Sequence, residues 1–163
     1  MTTFAQRVLL VIAIVTTIGC DRVTKHMAIT TLAGTLGRTF AGETIRLEYV
    51  ENTGGFLSLG AGLPTALRTS LFTFGTGVLL IGIVGVAFRY RWTGWPLLGL
   101  GLFVAGGASN WIDRFARGKV VDFVSVGVGP LRTGIFNVAD VAILLGAVIV
   151  VVAGLHSPLP SRR

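Results

Sequence analysis

One cysteine, two histidines and seven acidic residues in 163 positions leave few of the usual catalytic and metal-binding groups. With Cys20 alone, no disulfide can form within the chain. His26 and His156 have no partner at metal-ligand spacing, so neither a metal nor a cofactor is expected. No Ser/His, Cys/His or Ser/Lys combination presents itself, since Cys20 has only His26 nearby, on a different helix face. Charge of any sign is scarce. Only 13% of residues are charged, against about 25% in a soluble domain. Hydrophobic residues make up 52%, and the mean hydropathy is +0.79. Apolar runs recur to the end of the sequence, which excludes a soluble body behind a signal segment and indicates an integral membrane protein.

The net charge of +7 does not point to nucleic acid, because no basic run is interleaved with aromatics. Basic residues here fix topology and meet anionic lipid headgroups. At about 20 residues per crossing, the chain accommodates four spans, over 6–29, 64–88, 95–111 and 136–155. The expected fold is an all-α membrane protein, one domain over 1–163, with four transmembrane helices and a small extracytoplasmic β-sheet cradle. Pro64 suits the first turn of span two. Trp92, Trp95 and Trp111 fall at span ends, where amphipathic rings prefer the interface. Gly75, Gly77, Gly82, Gly85, Gly99, Gly101, Gly106 and Gly107 permit close helix packing.

Four crossings place both termini on one side, with Arg7, Arg89, Arg91, Arg162 and Arg163 and no acid. The opposite side holds the other nine basic residues and all seven acids, so a raw count of Lys and Arg points the other way. The purely basic character of the terminal segments and short loop places the termini in the cytoplasm. The cradle is expected over 34–60 and 118–135. In the first piece Ile45, Leu47 and Tyr49 alternate with Arg46, Glu48 and Val50, a half-buried strand pattern. "NTGGF" reads as a turn, and the second piece as a short strand followed by a Gly-Pro turn.

Ionisable residues at the rim of membrane spans are costly, and their default reading is functional. Asp21 and Lys25 share a helix face. Asn52 and Gly54 lie in the loop turn. Asn110, Asp113 and Arg114 end span three, and Asn137 and Asp140 share the first turn of span four. Each cluster alone has a structural explanation: an ion pair for Asp21 and Lys25, a helix cap for Asn137, snorkelling for Arg114 and Arg117. Their gathering at one membrane face favours a site. Asp122, flanked on its strand face by Val120 and Val124, needs a partner, and Asp140, eighteen residues on, is the candidate. Two close carboxylates cannot both ionise easily, so one keeps a proton while the other acts as a base. Such a pair can activate water against an amide carbonyl, and its apparent pKa values belong to the pair.

The stretches "DRVTK", "NTGGF", "GGASNWIDR", "GKVVDF" and "FNVADVAI" together resemble lipoprotein signal peptidase, or signal peptidase II, a family of four-helix membrane aspartic peptidases. The resemblance runs from about Gln6 to Leu155. It implies Asp122 and Asp140 as the catalytic dyad, with Asn52, Gly54, Gly106, Asn110, Arg114 and Asn137 lining the site and Asp21 and Lys25 supporting it. It implies cleavage of prolipoprotein signal peptides before a diacylglyceryl-modified cysteine, by a protein of the bacterial cytoplasmic membrane. The implied partners are lipid-modified prolipoproteins and membrane lipids, with a monomer sufficient. Arg114 is expected to hold Asp113 or a loop carbonyl, and segment 42–56 to close over the substrate. Two departures stand out. Only Gly55 separates Gly54 from Phe56, where the family usually has two small residues, and Ser109 replaces the usual Gly before Asn110.

Ile18-Gly19-Cys20 also imitates a lipoprotein processing site, but three further spans make a lipid anchor redundant. Cys20 is therefore expected as a small buried residue near the site rim. A four-span transporter would place an acid at mid-membrane, and the interiors of spans two, three and four carry none. A non-catalytic relative that binds lipidated peptides stays open.

Overall fold

The computed structural model describes residues 3–55, 60, 62–90 and 92–156. Phe56, Arg91, Arg162 and Arg163, which entered the loop and topology expectations, lie outside the described residues. The chain runs α1 (Thr3–Leu32), β1 (Arg38–Phe40), β2 (Ile45–Asn52), α2 (Thr65–Thr69), a π-helical segment (Ser70–Gly75), α3 (Thr76–Arg89), α4 (Gly94–Arg117), β3 (Val120–Val128), β4 (Leu131–Arg132) and α5 (Val138–His156). It is mostly helical, with one small antiparallel sheet in the order β1-β2-β3-β4.

Among the described residues, three helical stretches are long and apolar enough to cross a membrane: Phe4–Leu32, Thr65–Arg89 and Val138–His156. Helix α4 has the length, but its last third carries Ser109, Asn110, Asp113, Arg114 and Arg117. It packs against α1 and, most extensively, α5. Gly99 and Gly146 bring the α4 and α5 backbones together, since a Cβ on Gly99 would lie 2.9 Å from the Gly146 carbonyl oxygen. Chains this close gain from dispersion over a long contact rather than from hydrophobic expulsion, which lipid does not supply.

The helices depart from the expected bounds for local reasons. Helix α1 continues past Ile29 because Ala28 and Leu32 are buried against Val121 and Phe123 of β3. This cluster seats the sheet on the end of α1, with Leu47 and Tyr49 packed beside it. Helix α4 runs on to Arg117 because its polar last turns find partners in α1. Helix α5 starts at Val138, since Phe136 still pairs with Val124 of the sheet and Asn137 caps the helix.

Strand β2 pairs with β3 in a register that sets Ile45 opposite Val126 and Val50 opposite Asp122, with a slip between Leu47 and Val50. The expected alternation of β2 is absent. Ile45 is exposed, and Arg46 to Val50 are all half-buried. An extra residue at such a slip bends the strand and mixes its two faces. Strand β3 is buried on both faces from Val120 to Phe123, which carries Asp122 into the interior.

Two expectations need correction. Cys20 is exposed, not buried. The inward stripe of α1 is Thr17, Asp21, Lys25, Ala28 and Leu32, and Cys20 sits one residue, about 100°, off it. Trp111 does not offer its indole to the interface. Its Nε1 donates inward to the Thr73 carbonyl of the π-helical segment at 2.8 Å, and its ring stacks on Phe115.

Candidate active site

The site is built outward from the first turn of α5. Asn137 Oδ1 accepts the Asp140 N–H at 3.0 Å, while Asp140 Oδ2 accepts the Asn137 N–H at 3.1 Å. This reciprocal pairing is a capping box, which satisfies two helix-end donors at once. It also fixes the Asp140 carboxylate beside its own helix start. Asn137 Nδ2 then reaches across to β3 and donates to Asp122 Oδ1 at 2.6 Å. One residue therefore ties Asp140 through its backbone and Asp122 through its side chain.

Each of the four carboxylate oxygens of this pair takes a neutral donor. Asp122 Oδ2 accepts from Asn52 Nδ2 at 2.8 Å, and Asp140 Oδ1 from Asn110 Nδ2 at 2.9 Å. Asn52 is itself held by the loop, its Oδ1 taking the Gly54 N–H at 2.9 Å and its Nδ2 meeting the Gly55 carbonyl at 3.0 Å. Burial pushes the Asp122 carboxyl above its ordinary value. The hydrogen bonds from Asn52 and Asn137 and the charges of Lys25 and Arg114 oppose that push.

The cations are kept one step back. Lys25 is almost wholly buried and spends its three N–H groups on Asp21 Oδ2 at 2.7 Å, Asp113 Oδ2 at 2.7 Å and Asn110 Oδ1 at 2.8 Å. Asp113 also receives Arg22 at 2.7 Å and Arg117 at 2.6 Å. Asp21 Oδ1 accepts the Ala139 N–H at 3.0 Å, so α1 supplies a second cap to α5. Ser109 Oγ donates to Asp21 Oδ2 at 2.6 Å. The hydroxyl that departs from the expected Gly thus enters the polar network.

Arg114 grips the Gly54 carbonyl through Nε at 3.2 Å and Nη2 at 2.8 Å. Of its two expected partners it takes the loop carbonyl, while Asp113 is held by Lys25, Arg22 and Arg117. Gly106 faces the same corner, where a Cβ would strike the Ala139 carbonyl. Its role there is close packing of α4 on α5. A cavity of about 240 Å³ opens beside Asp140, lined by Gly55, Phe72, Thr76, Gly107, Asn110, Arg114 and Ile143.

The structure thus brings Asp122, Asp140, Asn52, Gly54, Asn110, Arg114 and Asn137 into one hydrogen-bonded group, with Asp21 and Lys25 behind it. Sequence reasoning missed Arg22, Phe72 and Thr76, noted Ser109 only as a departure from the family, and offered Asp113 to Arg114 rather than to Lys25, Arg22 and Arg117. The Asp113–Arg117 spacing of four was a readable signal. The other contacts join residues far apart in sequence and left none.

The architecture defines a fold, shared with solved structures described as bacterial membrane enzymes. Two solved structures so described align with TM-scores of 0.79 and 0.76, both at 24% identity. The first covers 90% of this chain and 92% of that one, the second 91% and 88%. Within that fold the chain belongs to the signal peptidase (SPase) II family, whose family model matches residues 12–156, and it is a membrane protease. Proteins named lipoprotein signal peptidase are similar over most of the chain. That of Rhodococcus jostii is 35% identical, over 92% of this chain and 74% of the relative. That of Mycobacterium leprae is 36% identical, over 90% and 70%.

Proposed function

We propose that this protein is an aspartic endopeptidase that removes the signal peptide from diacylglyceryl-modified prolipoproteins, cutting before the lipidated cysteine. The observation that carries the reading is Asn137, bonded at once to Asp122 and Asp140. A buried acid, Asp122, and a half-buried one, Asp140, tied to the same residue share one proton, because full ionisation of both is penalised. Neutral amide donors stabilise either carboxylate without fixing which one is charged.

In the proposed reaction the ionised acid takes a proton from a water placed between the pair. The water oxygen bonds to the scissile carbonyl carbon while the other acid protonates the carbonyl oxygen. As the tetrahedral intermediate collapses, one of its hydroxyls returns a proton to the second acid, the C–N bond breaks, and the proton taken from water passes to the leaving amine. Arg114 holds the Gly54 loop at the cleft and contributes positive potential to it. The described part of the expected covering segment, 42–55, closes over the substrate and excludes water.

The proposed topology has α4 as a fourth crossing. Its glycine-bearing inner face against α1 and α5, and the partners its polar last turns find there, support this reading. Both termini then lie in the cytoplasm of a bacterial cell, with the site near the extracytoplasmic face. The lipid chains on the substrate cysteine stay among acyl tails while the scissile bond reaches the polar end of the bundle. One chain supplies every group named, so a monomer suffices. The test is cleavage of a lipidated precursor by purified protein, with an unlipidated precursor alongside. Cleavage before the lipidated cysteine, lost in Asp122→Asn and Asp140→Asn, is expected. Full activity in either variant overturns the dyad.

A further inference from the structure

At the end of the bundle away from the acids, α1 and α4 part. Both helices begin there, and the crevice between them holds about 170 Å³. Gln6, Leu9 and Leu10 of α1 form one wall, and Gly94, Trp95, Leu97 and Leu98 of α4 the other. The floor is the point where the helices meet, since a Cβ on Gly101 would strike Leu10 Cδ1. From Gly94 down to Gly101 the crevice is about 10 Å deep, at 1.5 Å per residue. Leu9 is 47% exposed and Trp95 72% exposed, so the crevice opens outward from the bundle.

Its polarity is graded along that depth. Gln6 and Gly94 stand at the mouth, and Leu9, Leu10, Leu97 and Leu98 line it about one turn deeper. The half-buried Gln6 amide meets no partner among the described residues. Trp92, two residues before Gly94, buries an indole N–H that also lacks an acceptor among the described residues. Buried donors ordinarily have one. The charge at this end is of one sign. Arg7 follows Gln6, Arg89 ends α3, and both are exposed. The acids of the two lining helices, Asp21 and Asp113, lie at the far end with Lys25. Thr93 gives α4 no side-chain cap, so the positive end of the helix adds to the arginines.

We propose that this crevice binds one anionic phospholipid, its acyl chain along the leucines and its phosphate at the basic mouth. The inference needs α4 to cross the bilayer beside α1 and draws nothing from the peptidase reading. An apolar crevice open to a bilayer is filled by chains through dispersion, whatever the headgroup. The mouth is what tells lipids apart, because a phosphate lipid of net negative charge answers the two arginines and offers oxygens to the unpaired donors. A soluble small molecule is a poor occupant, since enclosed sites for these measure roughly 300–1,000 Å³.

The test is native mass spectrometry of the purified full chain in detergent, titrated with phosphatidylglycerol or with phosphatidylcholine of identical acyl chains. One phosphatidylglycerol per chain, held about tenfold or more tighter than phosphatidylcholine, is expected. Arg7→Gln combined with Arg89→Gln should erase that preference and leave phosphatidylcholine binding in place. Trp95→Ala removes part of a wall and should weaken both lipids. All three positions are exposed, so melting temperatures in lipid-free detergent should stay near wild type and separate lost binding from lost folding. Equal retention of the two lipids by the wild-type protein overturns the proposal. So does an unchanged preference in the arginine variant, unchanged binding in Trp95→Ala, or a second copy of the chain bound in place of lipid.

Discussion

Lys25 Nζ donates to Asn110 Oδ1 at 2.8 Å, and that bond decides which end of the amide faces Asp140. A protonated lysine offers donors alone, so the oxygen of Asn110 must turn toward it and the NH2 toward the carboxylate. A cation in α1 thereby orients an acid in α5 without touching it. Lys25→Met should free the amide to turn and leave Asp21 and Asp113 short of a partner. Removing one member of a buried ion pair costs roughly 3–5 kcal/mol. A large fall in melting temperature, with processing lost in whatever remains folded, is expected from thermal denaturation in detergent and from cleavage assays.

Exchange of either member of the dyad should separate chemistry from folding. Asp122→Asn and Asp140→Asn keep the side-chain size, and asparagine can still accept the Asn137 N–H in the capping box. Each should lower kcat by about 10²–10⁴-fold or more, with membrane accumulation near wild type. Immunoblotting of membranes beside precursor processing checks both halves.

The pH profile should respond to Asn52. Its amide stabilises the charged form of Asp122 against the burial that raises the carboxyl. Asn52→Ala removes a donor to the charged form, so the Asp122 carboxyl must rise further. The acid limb of the kcat/KM profile reports the pair losing its first proton. That limb should move to higher pH in Asn52→Ala, and activity should recover as pH is raised. A limb that moves to lower pH contradicts the assignment.

Arg114 holds the Gly54 carbonyl with two N–H groups of its planar fork. Lysine keeps the charge but not that geometry. Arg114→Lys should loosen the loop at the cleft and lower kcat/KM by about 10²-fold, the usual scale for an ångström of misplacement. Stability should change little, and parallel kinetics and melting curves distinguish the two effects.

Ser109 should matter to stability more than to catalysis. Its hydroxyl bonds to a charged acceptor, Asp21, at 2.6 Å, and such a bond contributes about 1.5–3 kcal/mol. Asp21 retains Lys25 and the Ala139 N–H, so Ser109→Ala should lower the melting temperature while leaving kcat/KM for a lipidated precursor within a few-fold.

Much of the scaffold was legible because membranes restrict the alphabet. Apolar runs of spanning length marked the helical stretches, and scarce polar residues at helical spacing marked the end where they meet. Asp21 with Lys25 and Asn137 with Asp140 could be paired from spacing alone, since neighbours three or four apart share a helix face. What spacing could not convey was which atom faces which. The contact of Lys25 with Asn110 spans 85 residues, and no local pattern encodes it. The alternation in β2 misled because a register slip mixes its faces. Cys20 misled because one step round a helix separates an exposed residue from the inward stripe. The π-helical segment left no mark, since "SLFTFG" reads as ordinary apolar helix.

The capping box joins two jobs in a four-residue stretch, Asn137 to Asp140. The cap requires the two residues to stand three apart, and so does the reach from one acid to the other. An insertion at the exposed turn between β3 and β4, at Gly129 and Pro130, would merely lengthen a connection. A single insertion between Asn137 and Asp140 would unseat the helix and part the acids in the same stroke. Length variation among descendants of this chain should therefore collect upstream of Phe136 and stop abruptly at Asn137.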